Sequence, residues 1–259
     1  MLSLVPHGLL GEETLIEIRR PHEIHQEDGG WFQARWHFSF GGYRDPAHMG
    51  VGALRVFNDD RIVAGASWPM HPHRDIESLT YVVEGHFLHA DSLGNNGQLE
   101  PGAAQVMRFS GRGDQHSERN ASDEEPMRFI QFWILPGVEG LETSVQQRRY
   151  QKEERTDRWL QIMGPSGEEG LDLAQDARAL VSRLTAGGRV DYEWPEGRGG
   201  YLYPIDGTVR LGPDRLEAGA AAKILGPERV ELTGDDVAEL ILIDTVLDFE
   251  PVGVWARGH

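Results

Sequence analysis

The 259-residue sequence contains no cysteine. Disulfide bridges and thiolate metal sites are therefore excluded, and any metal must be held by histidine and carboxylate. Long apolar runs are missing too, since none approaches the roughly 20 residues that a membrane-spanning helix needs. The opening MLSLVPHGLLGEETLIEIRR has no charged segment followed by a long apolar stretch, so a signal peptide is not expected. Positive charge is scarce, with 25 basic against 42 acidic residues and a formal net charge of −17. Direct nucleic-acid binding normally uses a basic face that displaces counterions from phosphates, and this balance argues against it. The mixed-sign stretch QQRRYQKEERTDR (146 to 158) reads as a solvated linker or a charged helix face. A cytoplasmic protein away from the membrane is the simplest expectation.

What is abundant is punctuation: 32 glycines and 14 prolines separate short apolar runs, a pattern that favours β structure over helix. RWHFSF (35 to 40) and ALRVFNDDRIVAG (53 to 65) read as strands, the second with an Asn-Asp-Asp turn. ESLTYVVEGHFLHADS (77 to 92) reads as a hairpin bending near Glu84-Gly85. LEPGAAQVMRF (99 to 109) adds a turn and a strand, and MRFIQFWILPG (127 to 137), apolar on both faces, reads as a central strand. Such spacing predicts a sandwich or barrel. The more charged region from 138 to 188 ends in LDLAQDARALVSRL, the best helical candidate in the chain.

The second half echoes the first. YVVEG (81 to 85) matches YPIDG (203 to 207), and LEPGAAQV (99 to 106) matches LEAGAAAK (216 to 223), in the same order. An internal duplication is the reading, with domains expected over 1–138 and 139–259. The halves differ chemically. No histidine stands between His116 and His259, and Glu193 and Pro195 occupy the places that correspond to His71 and His73. Only the first half can build a histidine metal site.

HPHRDIESLTYVVEGHF (71 to 87) places His71 and His73 one residue apart, just before a buried run. Alternate residues of a strand share a face, about 6.6 Å apart. His116 and Glu118 repeat that spacing further on. His-x-His and His-x-Glu on facing strands would converge three neutral nitrogens and a carboxylate, a set for a borderline divalent metal with coordination positions left open. Glu77 has the same strand parity as His71 and His73 and competes with Glu118 for the carboxylate role. His86 and His89 read as solvated strand residues, and His37 as a hydrogen-bonded core or rim histidine. His7, His22 and His25 carry no argument.

These residues resemble the pirin family of the cupin superfamily. The resemblance runs through WHFSF, ALRVFNDD, HPHRDIESLTYVVEG, HADSLGNNG, PGAAQVM and GRGDQHSE, across most of residues 31 to 135, and more weakly through the second repeat. The cupin signature is visible as Gly65, His71-x-His73, and Gly113-x-x-His116-x-x-x-Asn120. The resemblance implies an all-β bicupin, two face-to-face barrels with few helices, metallated only in the first. It assigns the metal to His71, His73, His116 and Glu118, in preference to Glu77; in the oxygenase reading Glu118 is also the catalytic proton acceptor. It implies one divalent ion, Fe(II) foremost, with nickel, copper, manganese, zinc and cobalt as alternatives. The implied activity is a quercetin 2,3-dioxygenase, taking a flavonol-like substrate and dioxygen in a monomeric protein. A non-catalytic iron-dependent regulator binding a protein partner, and another small-molecule cupin dioxygenase or isomerase, are the competing readings. One departure from the family pattern is Asp114 in GRGDQHSE, where a hydrophobic residue is common; an acid there could alter substrate access or metal preference.

Overall fold

Extended segments with one or both faces buried make up most of the chain. The computed structural model describes residues 15–256 and contains 22 strands and three short 3-10 turns, with no α-helix among the described residues. His7, the opening residues weighed as a signal peptide, and His259 lie outside the described residues. No helix in the described part is long and apolar enough to cross a membrane.

The first repeat pairs a seven-stranded sheet with a four-stranded one. The large sheet runs Ser144–Arg149, Ala103–Phe109, Ile76–Glu84, Met127–Ile134, Leu54–Ile62, Phe32–Trp36 and His25–Asp28 in spatial order. Met127–Ile134 is its central strand, as its two apolar faces imply. The small sheet runs Ser67–Pro72, Gln115–Asn120, Phe87–Asp91 and Asn96–Leu99. The second repeat reproduces this plan, with Arg198–Asp206 in the place of Ile76–Glu84 and Ala221–Leu225 in the place of Ala103–Phe109. The duplication read from YVVEG/YPIDG and LEPGAAQV/LEAGAAAK is therefore also a duplication of topology.

Strand pairing crosses the expected boundary at residue 138 in both directions. Leu15–Arg19 pairs with Ala221–Leu225 of the second repeat, and Ser144–Arg149 pairs with Ala103–Phe109 of the first. Each large sheet is thus finished by a strand from the other half. The two large sheets also face each other across one apolar layer, where Phe57, Leu79, Tyr81 and Phe132 meet Val181, Tyr201, Tyr203, Ile241 and Ile243. Arg128 grips both oxygens of its sheet neighbour Asp59 at 2.8 Å and reaches across this seam to Ile205 O and to the exposed Asp206, each at 2.8 Å.

The interior of the second repeat is filled with side chains. Trp194, Leu184, Leu202, Val209, Leu216 and Leu232 are all fully buried in one cluster. Where the first repeat carries histidines, the second carries an apolar core.

Several local expectations are overturned. The segment LDLAQDARALVSRL is not a helix but two strands, Leu171–Leu173 and Ala177–Leu184. Ala177, Ala179 and Val181 pack into the inter-repeat layer, while Leu180 and Leu184 enter the second core. A strand buried on both faces has no period-2 signal, and its Ala/Leu content then reads as helical; pairing with Ala238–Val246 wins over that propensity. Asn58-Asp59-Asp60 is not a turn either, because Leu54–Ile62 runs straight through it. Residues 77 to 92 do not form a hairpin: Ile76–Glu84 belongs to the large sheet and Phe87–Asp91 to the small one. Gly85, at φ +78, makes the step between sheets, where a Cβ would stand 2.7 Å from Pro126 O. RWHFSF is strand only as far as Trp36. In the 146 to 158 stretch, Ser144–Arg149 is a strand and Arg155 is buried against Glu239 at 2.7 Å.

Candidate metal centre

The small sheet of the first repeat assembles the histidines. His71 on Ser67–Pro72 lies directly across the antiparallel ladder from His116 on Gln115–Asn120. They therefore sit side by side in one sheet, and not on facing strands. His73 follows just past the strand end, its N–H donating to Asp114 O at 3.0 Å. Ligand atoms of His71, His73 and His116 all lie within 4.8 Å of one another. The ring centroids are 4.8 Å apart for His71 and His73, 4.5 Å for His71 and His116, and 5.0 Å for His73 and His116.

The polar atoms of this cluster are poised for a cation. His71 Nδ1 lies 2.8 Å from Pro69 O, which fixes the proton on Nδ1 and turns a bare Nε2 toward its neighbours. Both ring nitrogens of His116 are buried without a partner, an arrangement that is costly unless something binds there. Burial, then the neighbouring His116 and His71, lowers the pKa of His73 to about 3. Burial, then His71 and His89, holds His116 well below the ordinary imidazole range. Both shifts keep the His73 and His116 rings neutral, the form that binds metals. The residues present fit a divalent ion.

Glu118 stands beside the trio, with Oε1 3.9 Å from His116 Nε2, although outside the tight group of three. It is buried, and Gln131 Nε2 donates to its Oε1. Burial raises its pKa, opposed by His71, Gln131 and His89. Glu77 is elsewhere. Its carboxylate accepts from Arg108 Nε and Nη2 at 3.1 Å and from the backbone N–H groups of Ala174 and Gln175 at 2.9–3.2 Å. Glu77 is thus a structural bridge to the second repeat.

A cavity of about 160 Å³ opens onto the histidines. Its walls are aromatic: Phe32, Trp36, Phe40, Trp68, Phe129 and Trp133. Its polar lining comes from both sheets, with His71 and Glu118 on the small one and Asn58, Asp60 and Gln131 on the large one. Asn58 and Asp60 are the residues that the sequence reading took for a turn. Their strand alternates, sending Phe57 and Asp59 to the inter-repeat seam and Asn58 and Asp60 inward. Burial, and then the charges of Glu118 and Asp59, pushes Asp60 well above the usual carboxylate range. The only signal available in the sequence was the polar trio itself, set inside an otherwise apolar run.

His89 is buried, 3.5 Å from Asp91 Oδ2 and with its ring 5.9 Å from that of His116, so its reading as a solvated residue is wrong. A turned-in strand position backs the histidine cluster instead. His86 is half-exposed and pairs with Glu100 at 3.0 Å, as a solvated strand residue does. His37 is fully buried, with Nδ1 2.8 Å from the Tyr201 hydroxyl, and burial lowers its pKa to about 3. Asp114 does not line the cavity; Ser110 and Thr143 donate to its carboxylate.

Two family models match the chain: Pirin over residues 18–134 and the quercetinase C-terminal cupin domain over 149–245. A protein of Zymomonas mobilis named putative quercetin 2,3-dioxygenase is 37% identical over 88% of this chain and 97% of its own length. The protein of Escherichia coli K12 named quercetin 2,3-dioxygenase is 32% identical over 89% of this chain and 98% of its own. Among solved structures, the bacterial pirin YhhW of Escherichia coli in complex with nickel(II) superposes with a TM-score of 0.83 at 31% identity, over 92% of this chain and all of that one.

Proposed function

The chain belongs to the pirin family, and from that premise we propose that it is a metal-dependent dioxygenase of hydroxy-enone rings, the chemical class to which flavonols such as quercetin belong. The observation that carries this reading is the trio of clustered imidazoles, with both nitrogens of His116 unpartnered and with His71 and His73 lining an aromatic cavity. His71, His73 and His116 would hold one divalent cation, with Glu118 as fourth ligand. Fe(II) is the ion proposed, and nickel, which the Escherichia coli pirin binds, is its main competitor. Such a cation supplies Lewis acidity to an anionic oxygen and redox access to dioxygen.

The protein's own groups do the rest. Glu118, with its basicity raised by burial, takes the proton of the ring hydroxyl, while Gln131 holds the carboxylate in place. Trp36, Trp68 and Trp133 sheathe the ring and exclude water. A cytoplasmic location fits the cysteine-free composition.

Metal analysis of protein purified without added metal, followed by oxygen uptake with a flavonol panel, tests the proposal. About one divalent ion per chain and flavonol-dependent uptake are expected. Full metal retention by any two of His71→Ala, His73→Ala and His116→Ala would remove the ligand set. An iron-loaded protein that consumes no oxygen with any hydroxy-enone would remove the enzyme and favour a regulatory role.

A further inference from the structure

The cavity beside the histidines is small for a flavonol. Drug-sized ligands occupy pockets of about 300–1,000 Å³, whereas an apolar cavity of about 150 Å³ holds a single benzene ring. At about 160 Å³ the space here sheathes one ring. Flavonols carry their reactive hydroxy-enone in a central ring, fused on one side and substituted on the other. Six aromatic side chains line the space and bound it.

The polar lining is also incomplete by itself. Asn58 is 1% exposed, and its Oδ1 has no hydrogen-bond partner. Asp60, 4% exposed, lines the same cavity two residues further along the strand. Both stand on the large sheet, across the cavity from His71 on the small sheet. Buried polar atoms without partners are rare and call for a bound group. Gln131, next to Asn58 in the ladder, is already committed to Glu118.

We propose that this cavity selects a single-ring hydroxy-enone, such as a 3-hydroxy-4-pyranone, and that Asn58 and Asp60 read the polar edge of that ring turned away from the histidines. The proposal rests on the hydroxy-enone reading given above and deepens it. The ring's hydroxyl and carbonyl face the histidine side. A further hydroxyl on the opposite edge donates to Asn58 Oδ1, with Asp60 beside it. The aromatic walls discriminate by size and the two polar residues by hydrogen bonding. A missing hydrogen bond to a buried polar group is the stronger discriminator of the two.

Calorimetric titration of the fully metal-loaded protein tests this, with 5-hydroxy-2-hydroxymethyl-4-pyranone, whose hydroxymethyl lies on the edge opposite its chelating oxygens, as the one-ring probe and quercetin as the three-ring probe. The one-ring probe is expected to bind at least about tenfold more tightly. Asn58→Leu, close in volume and apolar, should weaken that probe about tenfold while metal content stays unchanged. Because it removes an unpartnered polar atom from a buried position, this variant should fold at least as well as the wild type. Opening the wall with Trp36→Ala should narrow the gap between the two probes. Equal or tighter quercetin binding by the wild type would overturn the size selection, and unchanged pyranone affinity in Asn58→Leu would overturn the assigned polar contact. Failure of both probes to bind metal-loaded protein would overturn the hydroxy-enone reading itself.

Discussion

The main-chain N–H of Val254 donates to Asp75 Oδ2 at 3.0 Å, tying the last turn of the described chain to the loop that carries His73. Asp75 sits at φ +50 and Gly253 at φ +60. A Cβ on Gly253 would stand 2.2 Å from Asp75 Oδ2. Nearby, Trp255 packs on the cluster of Ile76, Met107, Phe109 and Leu135, and Phe109 lies 4.9 Å from the His73 ring. The second repeat thus returns to brace the His73 loop of the first.

Gly253→Val should therefore displace Asp75 and loosen His73. Groups that orient metal ligands are typically worth about 10–100-fold in metal affinity. Competition with a chromophoric chelator is expected to show a loss of that size. Unchanged affinity with a lowered melting temperature would reduce the contact to simple stabilisation.

Glu118→Gln and Glu77→Gln should fail in opposite ways. The first removes charge and basicity beside His116, so metal binding weakens and oxygen uptake falls by about 10²–10⁴, while urea unfolding of the metal-free protein changes little. The second leaves the donors of Arg108, Ala174 and Gln175 facing an amide in a buried position. It should cost about 1–3 kcal/mol of stability and spare metal content. The reverse pattern, with Glu77→Gln losing the metal, would reassign the carboxylate ligand.

The pH dependence of the metal-free protein has a defined sign. His37 and His73 are pushed to about 3 in the fold, against an ordinary value of 6.5. Between pH 6.5 and about 3 the unfolded chain binds protons that the folded chain refuses. Stability should fall as the pH falls through that window, by up to about 1.4 kcal/mol per pH unit for His37, and these two groups contribute no slope above it. His37→Gln, which can still reach the Tyr201 hydroxyl, should flatten the slope by about one proton. An unaltered slope in that variant would clear His37 of the effect.

The parts of this structure legible in the sequence are those in which chemistry and spacing agree. His71, His73 and His116 stand out because imidazoles are poor core residues, and the repeat stands out because turn residues recur in order. The strand Ala177–Leu184 was hidden because burial on both faces erases its period. Asn58 and Asp60 were hidden because two adjacent acids after an asparagine have the composition of a turn. Only the cavity on one side and Arg128 on the other explain why three such residues run through the middle of a strand. Asp75 and Gly253 could not be paired from sequence at all, being joined only by tertiary structure.

The exchange of edge strands sets an order on synthesis. Leu15–Arg19 leaves the ribosome early, but its partner begins at Ala221. At about 5–20 residues per second, the intervening chain takes roughly 10–40 s to make. Throughout that interval the first strand has no ladder to join, and the second large sheet lacks an edge. The brace at Asp75 arrives later still, with Gly253 and Val254. A nascent chain thus makes all three histidines long before it makes the turn that braces the loop of His73.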